Sequence, residues 1–188
     1  MKSRQQALEL LHAHMQNKNL RRHCYSVEAV MRALARHFGE DEEVWGVVGL
    51  LHDGDYEEVK KDPSQHTLLM NKWLVEAGEA DSRILEAILS HNFVHTGKNP
   101  PKNNLEWSLY CCDELTGLIV AVALVRPDRK LASVDVSSVQ KKWGKKEFAA
   151  GVDRNQIAKC EEKLGIKLPD FIGLSISAMQ SISSELEL

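Results

Sequence analysis

The chain has 188 residues, 43% of them hydrophobic, which is enough for one domain with a sizeable core and a modest appendage. Its 24 basic and 27 acidic residues are mixed along the sequence and leave a net charge of -3, so no basic field exists to hold long nucleic acid. The opening stretch MKSRQQALELLHAHMQ alternates polar and apolar residues, and no run is read as apolar enough to span a bilayer. The expectation is a cytoplasmic protein with no membrane partner.

In chain order, residues 20 to 38 place Val27, Val30, Met31, Leu34, Ala35 and Phe38 at i, i+3, i+4 spacing, with Gly39 as a stop. A second helix runs from about Asp41 through Val44, Trp45, Val47, Val48, Leu50 and Leu51 to His52. It is apolar nearly all round and belongs at the centre of the fold. Ser64 is read as capping a helix through Trp73 to Gly78, and Asp81 as capping one that ends at His91. Asn92 to Asn104 reads as a loop, marked by Gly97, Pro100 and Pro101.

Leu105 to Val125 is again long, apolar and helical, with Asp113 in its middle and Pro127 beyond its end. A polar connector follows, then a lysine-rich stretch around Trp143, a helix opened by Asp153 and stopped by Gly165, and a last helix from about Pro169. No alternating β pattern and no internal repeat occurs, so the class is all-α, in a bundle. Cys24, Cys111, Cys112 and Cys160 form no CxxC pair. The adjacent two point to different sides of a helix, so all four are read as reduced thiols.

Eight histidines are present, and their positions separate them. His12, His14 and His37 lie on polar faces and read as solvated. His23, His52, His66 and His91 each stand at or near the end of an apolar helix, where several helices can converge on one metal site. Asp53 adjoins His52. Asp113 lies in the apolar segment SLYCCDELTGLIV, where burying an acid costs several kcal/mol unless it is paired or coordinates a metal.

In order, RRHCYSVEAVMRALA, VVGLLHDGDYE, SHNF and LYCCDELTG resemble the HD superfamily of metal-dependent phosphohydrolases. The elements that carry the resemblance are His23, the His52-Asp53 doublet, His91 and Asp113, over roughly residues 20 to 126. The tail, with VSSVQKKWGKKEFAAGVDRNQI, looks like an HDIG-like subgroup of predicted hydrolases. The resemblance implies an all-α HD-domain bundle, one domain over 1–188, with its core at about 20–126 and extra C-terminal helices over about 127–188.

It further implies that His23, His52, Asp53 and Asp113 bind one divalent ion, and that Asp53 bridges to a second held by His66 and His91. Imidazole and carboxylate ligands suit Mn, Fe, Co, Ni, Zn or Mg, one or two per chain. Such an ion activates a water for attack on phosphorus, so no serine or cysteine nucleophile is required. The implied substrate is a small phosphorylated compound, with a nucleotide, such as a nucleoside monophosphate or a dinucleoside polyphosphate, as the class by resemblance. Asp55, Glu57 and Glu58 are candidates for acid, base or partner of a ligand histidine, and Arg22, with Lys60 and Lys61 behind it, for phosphate contact. His95 is left outside the site, and the lysines around Trp143 are read as a solvated turn.

The chain lacks the residues that mark cyclic-dinucleotide phosphodiesterases of the superfamily, having Gly54-Asp55-Tyr56 after the doublet. Two rival readings stand beside the hydrolase: a di-iron oxygenase on the same scaffold, and a noncatalytic metal-binding module. Nothing in the pattern specifies an oligomeric state.

Overall fold

The computed structural model describes residues 3–188; Met1 and Lys2, which open the alternating N-terminal stretch, lie outside the described residues. That stretch is a helix, Arg4–His14 (α1), capped by Ser3 and buried through Ala7 and Leu11, with Met15 just beyond its end. The i, i+4 spacing of those three residues gives a stripe one residue wide, which the polar residues between them disguise as alternation.

Asn17 caps Lys18–Phe38 (α2) by accepting from the amides of Asn19 and Leu20, and Gly39 ends it in the left-handed region at φ 70°. Asp41 caps Glu42–Leu51 (α3), in which every residue from Val44 to Leu51 is buried. The two helices cross closely because Gly49 lies at their contact. A Cβ there would stand 2.9 Å from both the Glu28 Cα and the Val27 carbonyl oxygen. This closeness brings the end of α3, with His52-Asp53, against His23 on α2.

A short turn of helix, Tyr56–Val59 (α4), leads to Leu68–Glu76 (α5). Ser64 does not cap α5: it sits in a 3-10 turn over Pro63–Gln65 held by the Asp62 side chain, and the residue before α5 is Thr67, at φ 69° with no side-chain cap. Asp81 caps Ser82–His91 (α6) as expected. The following loop contains one helical turn, Phe93–Thr96 (α7), closed by Gly97 at φ 66°.

Asn103 opens Asn104–Leu124 (α8) in a reciprocal arrangement with Glu106, whose carboxylate accepts from Lys102 N and Asn103 Nδ2. Val136–Trp143 (α9), Arg154–Leu164 (α10), Leu168–Ser181 (α11) and the turn Ser183–Leu186 (α12) complete the chain. Asp153 and Gly165 cap the two ends of α10, as read from the sequence.

No strand occurs among the described residues, and the protein is an all-α bundle, as expected from the sequence. One apolar core runs from Ala7 to Leu186, so the helices after α8 pack on the same core as those before it. By length and composition alone α8 is apolar enough to cross a membrane, contrary to the expectation that no run reaches that measure. Its few carboxylates are too sparse to lower the average. The helix lies among α2, α6, α10 and α11, with 56% of the apolar window buried, as befits the central helix of a bundle. All four cysteines are free and buried. Burial pushes the Cys24, Cys111 and Cys112 thiols up and that of Cys160 to about 11, so none is a poised thiolate.

Candidate metal centre

Four helix ends and one helix middle converge on a single cluster. His23 comes from the first turns of α2, His52 and Asp53 from the end of α3, His66 from the turn before α5, His91 from the end of α6, and Asp113 from the middle of α8. His23 Nε2 lies 2.9 Å from Asp113 Oδ1, and His52 Nε2 lies 3.3 Å from His23 Nε2 and 3.5 Å from that same oxygen.

Asp53 divides its two oxygens between two groups of imidazoles. Its Oδ2 faces His23 Nε2 at 3.7 Å and His52 Nε2 at 3.6 Å. Its Oδ1 faces His66 Nε2 at 3.2 Å and His91 Nε2 at 3.1 Å. Two sets, His23/His52/Asp113 and His52/Asp53/His91, each bring three ligand atoms within 4.8 Å of one another.

The far side of the rings decides which nitrogen is free to ligate. His52 Nδ1 is 2.8 Å from the Gly49 carbonyl oxygen, which only accepts, so the proton sits on Nδ1 and Nε2 presents its lone pair. His66 Nδ1 is fixed in the same way by Asp55 Oδ1 at 2.7 Å. His23 Nδ1 lies 3.4 Å from the Thr116 hydroxyl, which itself donates to the Asp113 carbonyl oxygen at 2.8 Å and so receives the imidazole proton. Three rings are thus held with Nε2 turned toward Asp53 and Asp113, the nitrogen that presents a lone pair when the ring is neutral. His91 Nδ1 and Asn92 Oδ1 are buried with no hydrogen-bond partner among the described residues. This donor set, neutral imidazole nitrogens with anionic oxygens and outer partners that fix the tautomer, fits a divalent ion of the borderline or hard kind.

Electrostatically the cluster is built for cations. Burial disfavours charge on His23, but its hydrogen bond to Asp113 and the nearness of Asp53 outweigh this and raise it to about 9; His66, against Asp53 and Asp55, is likewise raised to about 9. Burial would push Asp53 and Asp113 up, yet the surrounding imidazoles hold both well below the usual carboxylate range. In the absence of a metal, protons on the imidazoles take the place of metal charge.

The remaining candidates fall in different places. Asp55 has no exposed surface; one oxygen holds His66 and the other accepts the Met70 amide at 2.9 Å, so it is a partner of a ligand histidine and does not face the cavity. Glu57 accepts from the amides of Gln16 and Asn17 at the junction of α1 and α2, and Glu58 meets His14, which stacks on Trp73. Lys60 and Lys61 are exposed. Arg22 pairs with Glu187 near the C-terminal end of the chain and lies outside the cluster.

A cavity of about 470 Å³ opens over the cluster, and some of its walls were not anticipated. Exposed Tyr56, Val94 and His95 stand at its edges. Glu114 lines it next to Asp113; burial and the neighbouring carboxylate raise it above the ordinary glutamate value. Asp153 and Gln156 come from α10 and its cap, forty residues beyond the last ligand. Asn92 was read only as the start of a loop, yet it is buried and ties the His66 carbonyl to the end of α6 at 2.9 Å. The available signal was a polar residue directly after a ligand histidine.

No curated protein and no solved structure gives a match to this chain. The family model for the HD domain matches residues 20–123, more than half of the chain, and spans His23 through Asp113. The order and spacing of the histidines and aspartates, the all-α bundle and the converged cluster agree with that match, and the chain belongs to the HD domain family, whose characteristic chemistry is metal-dependent phosphoester hydrolysis.

Proposed function

We propose that this protein hydrolyses a small phosphorylated compound at a centre holding one or two divalent ions. The observation that carries the reading is the division of the Asp53 oxygens between the His23/His52 side and the His66/His91 side. The first group, with Asp113, would hold one ion; His66 and His91 would hold the second, with Asp53 common to both. When bound, divalent ions supply an acidified water as nucleophile and positive charge against the phosphoryl oxygens.

The chain's own residues do the rest. Gly49, Asp55 and Thr116 keep the imidazole protons on Nδ1, so the ligand faces stay open. A small nucleotide, such as a nucleoside monophosphate or a dinucleoside polyphosphate, is the substrate class carried over from the sequence reading, with Tyr56 and Val94 offering apolar surface to a base. A cytoplasmic setting accords with four unpaired, buried thiols.

The test is a screen of phosphomonoesters and phosphodiesters with added Mn, Co, Ni or Mg, run with and without oxygen. Metal-dependent, oxygen-independent release of phosphate that Asp53→Ala abolishes supports the reading. Turnover that requires oxygen points instead to the oxidative reading, and the absence of turnover with every metal to a binding module.

A further inference from the structure

Outside the ligand cluster, the cavity wall has an unusual charge. Among the described residues no lysine or arginine lines it; besides Asp53 and Asp113 it carries Glu114 and Asp153, with the amide of Gln156 beside them. This wall is a built feature. Asp153 donates its amide to Glu114 Oε2 at 3.1 Å, joining the α10 cap to α8, and Gln156 Nε2 donates to the Tyr110 carbonyl at 2.7 Å. Behind it, the Arg154 guanidinium gathers the carbonyls of Lys145, Phe148, Ala149 and Val152, which fixes the loop that leads into α10. Asp153 and Gln156 lie beyond residues 20–123, so this half of the wall is not part of the family's shared region, whereas Glu114 is within it.

The charge balance then limits the substrate. Two divalent ions, less the charges of Asp53 and Asp113, leave enough positive charge for one phosphate dianion. A second phosphate would have to lie in the rest of the cavity, against carboxylates and with no cationic side chain to receive it. We infer that the site selects compounds with a single phosphate group, whose organic part donates hydroxyl or amino hydrogen bonds to Glu114, Asp153 and Gln156, and that it discriminates against substrates bearing a second phosphate. The inference rests on the phosphohydrolase reading for its metal centre, and it narrows that reading: a nucleoside or sugar monophosphate fits, a dinucleoside polyphosphate does not.

The test measures binding of a hexose monophosphate and a hexose bisphosphate to the Mn-loaded protein by calorimetry, with hydrolysis of each followed separately. The monophosphate should bind about tenfold more tightly than the bisphosphate, the opposite of simple charge attraction to a metal pair. Asp153→Asn keeps a competent helix cap and Glu114→Gln keeps an acceptor for the Asp153 amide, so each removes charge while sparing the fold. The double variant should bring the two affinities to within about threefold of one another, whereas Asp170→Asn, exposed at the start of α11, should leave the gap unchanged.

Equal or tighter binding of the bisphosphate by the unaltered protein overturns the inference, as does a gap that survives in the double variant. Discrimination in binding without hydrolysis of either ester counts against the hydrolase reading alone. Hydrolysis of both without preference counts against the inference alone, and failure to bind either counts against both.

Discussion

Replacing Asp55 by Asn tests how the second group of ligands is held. In the native protein one carboxylate accepts two hydrogen bonds, from His66 Nδ1 at 2.7 Å and from the Met70 amide at 2.9 Å, and it does so with no exposed surface. An asparagine has one acceptor and one donor in the same place. The Met70 amide can only donate, so the new amide oxygen turns to it and the new NH2 faces His66 Nδ1. His66 must then accept there and carry its proton on Nε2, the atom that lies 3.2 Å from Asp53 Oδ1. The ligand lone pair is lost although no ligand has been changed. The opposite rotamer sets the NH2 against the Met70 amide and leaves a buried donor unpaired, at a cost of about 1–3 kcal/mol.

Changes to such outer partners lower metal affinity by about 10- to 100-fold, which is about 1.4–2.7 kcal/mol. We expect that loss for the ion held with His66 and His91, with the ion held by His23, His52 and Asp113 retained. Calorimetric metal titration reads the two sites, and nitrogen-15 shifts of the His66 ring read its tautomer. Two ions bound with native affinity, or a His66 still protonated at Nδ1, would refute the reasoning.

Further outcomes follow from the same geometry. Loading metal near neutral pH should release protons, because His23 and His66, raised to about 9, are charged there in the metal-free protein; apparent affinity should climb with pH and level off above about 9, as read by calorimetry in buffers of different ionisation enthalpy. The folded-state values of these two histidines lie above the unfolded value of about 6.5, so their contribution to metal-free stability is full below about 6.5 and is lost as pH rises through about 9. Asp53 and Asp113 are depressed, so theirs is present above the unfolded carboxylate value and lost on acidification. Thermal melts across pH should therefore peak between those limits, and added metal should move the alkaline limb upward. Gly49→Ala drives a Cβ against the backbone of α2 and should cost about 1–3 kcal/mol, together with metal affinity, since it parts His52 from His23. Gly46→Ala meets only the Arg32 guanidinium, which can move aside, and should cost much less by the same melts.

How much of this was legible in the chain follows from where each interaction originates. The six residues of the cluster could be read because each stands where a 3.6-residue pattern ends or is broken by a polar group, and bundle geometry brings such points together. What supports them was legible only in part. The Gly49 carbonyl is a backbone atom and Thr116 reads as an ordinary helix residue, whereas Asp55 stood among the candidate partners of a ligand histidine, undistinguished there from Glu57 and Glu58. Only the turn at Pro63–Gln65 brings His66 within reach of its carboxylate, and Ser64, which looked like the cap of α5, belongs to that turn instead.

The same logic separates the reaction from its substrate. The residues proposed to hold metal lie on or at the ends of α2, α3, α6 and α8, with His66 before α5, all within the family's matched region. The wall over it is made by a chain that leaves at Leu124, passes through α9 and an arginine-clamped loop, and returns at Asp153. A return of that kind leaves no periodic trace, because it depends on the loop's carbonyls meeting one guanidinium and on one amide meeting Glu114. On the proposed reading, residues from His23 to Asp113 carry the attack on phosphorus and the segment between α9 and α10 decides what the site admits.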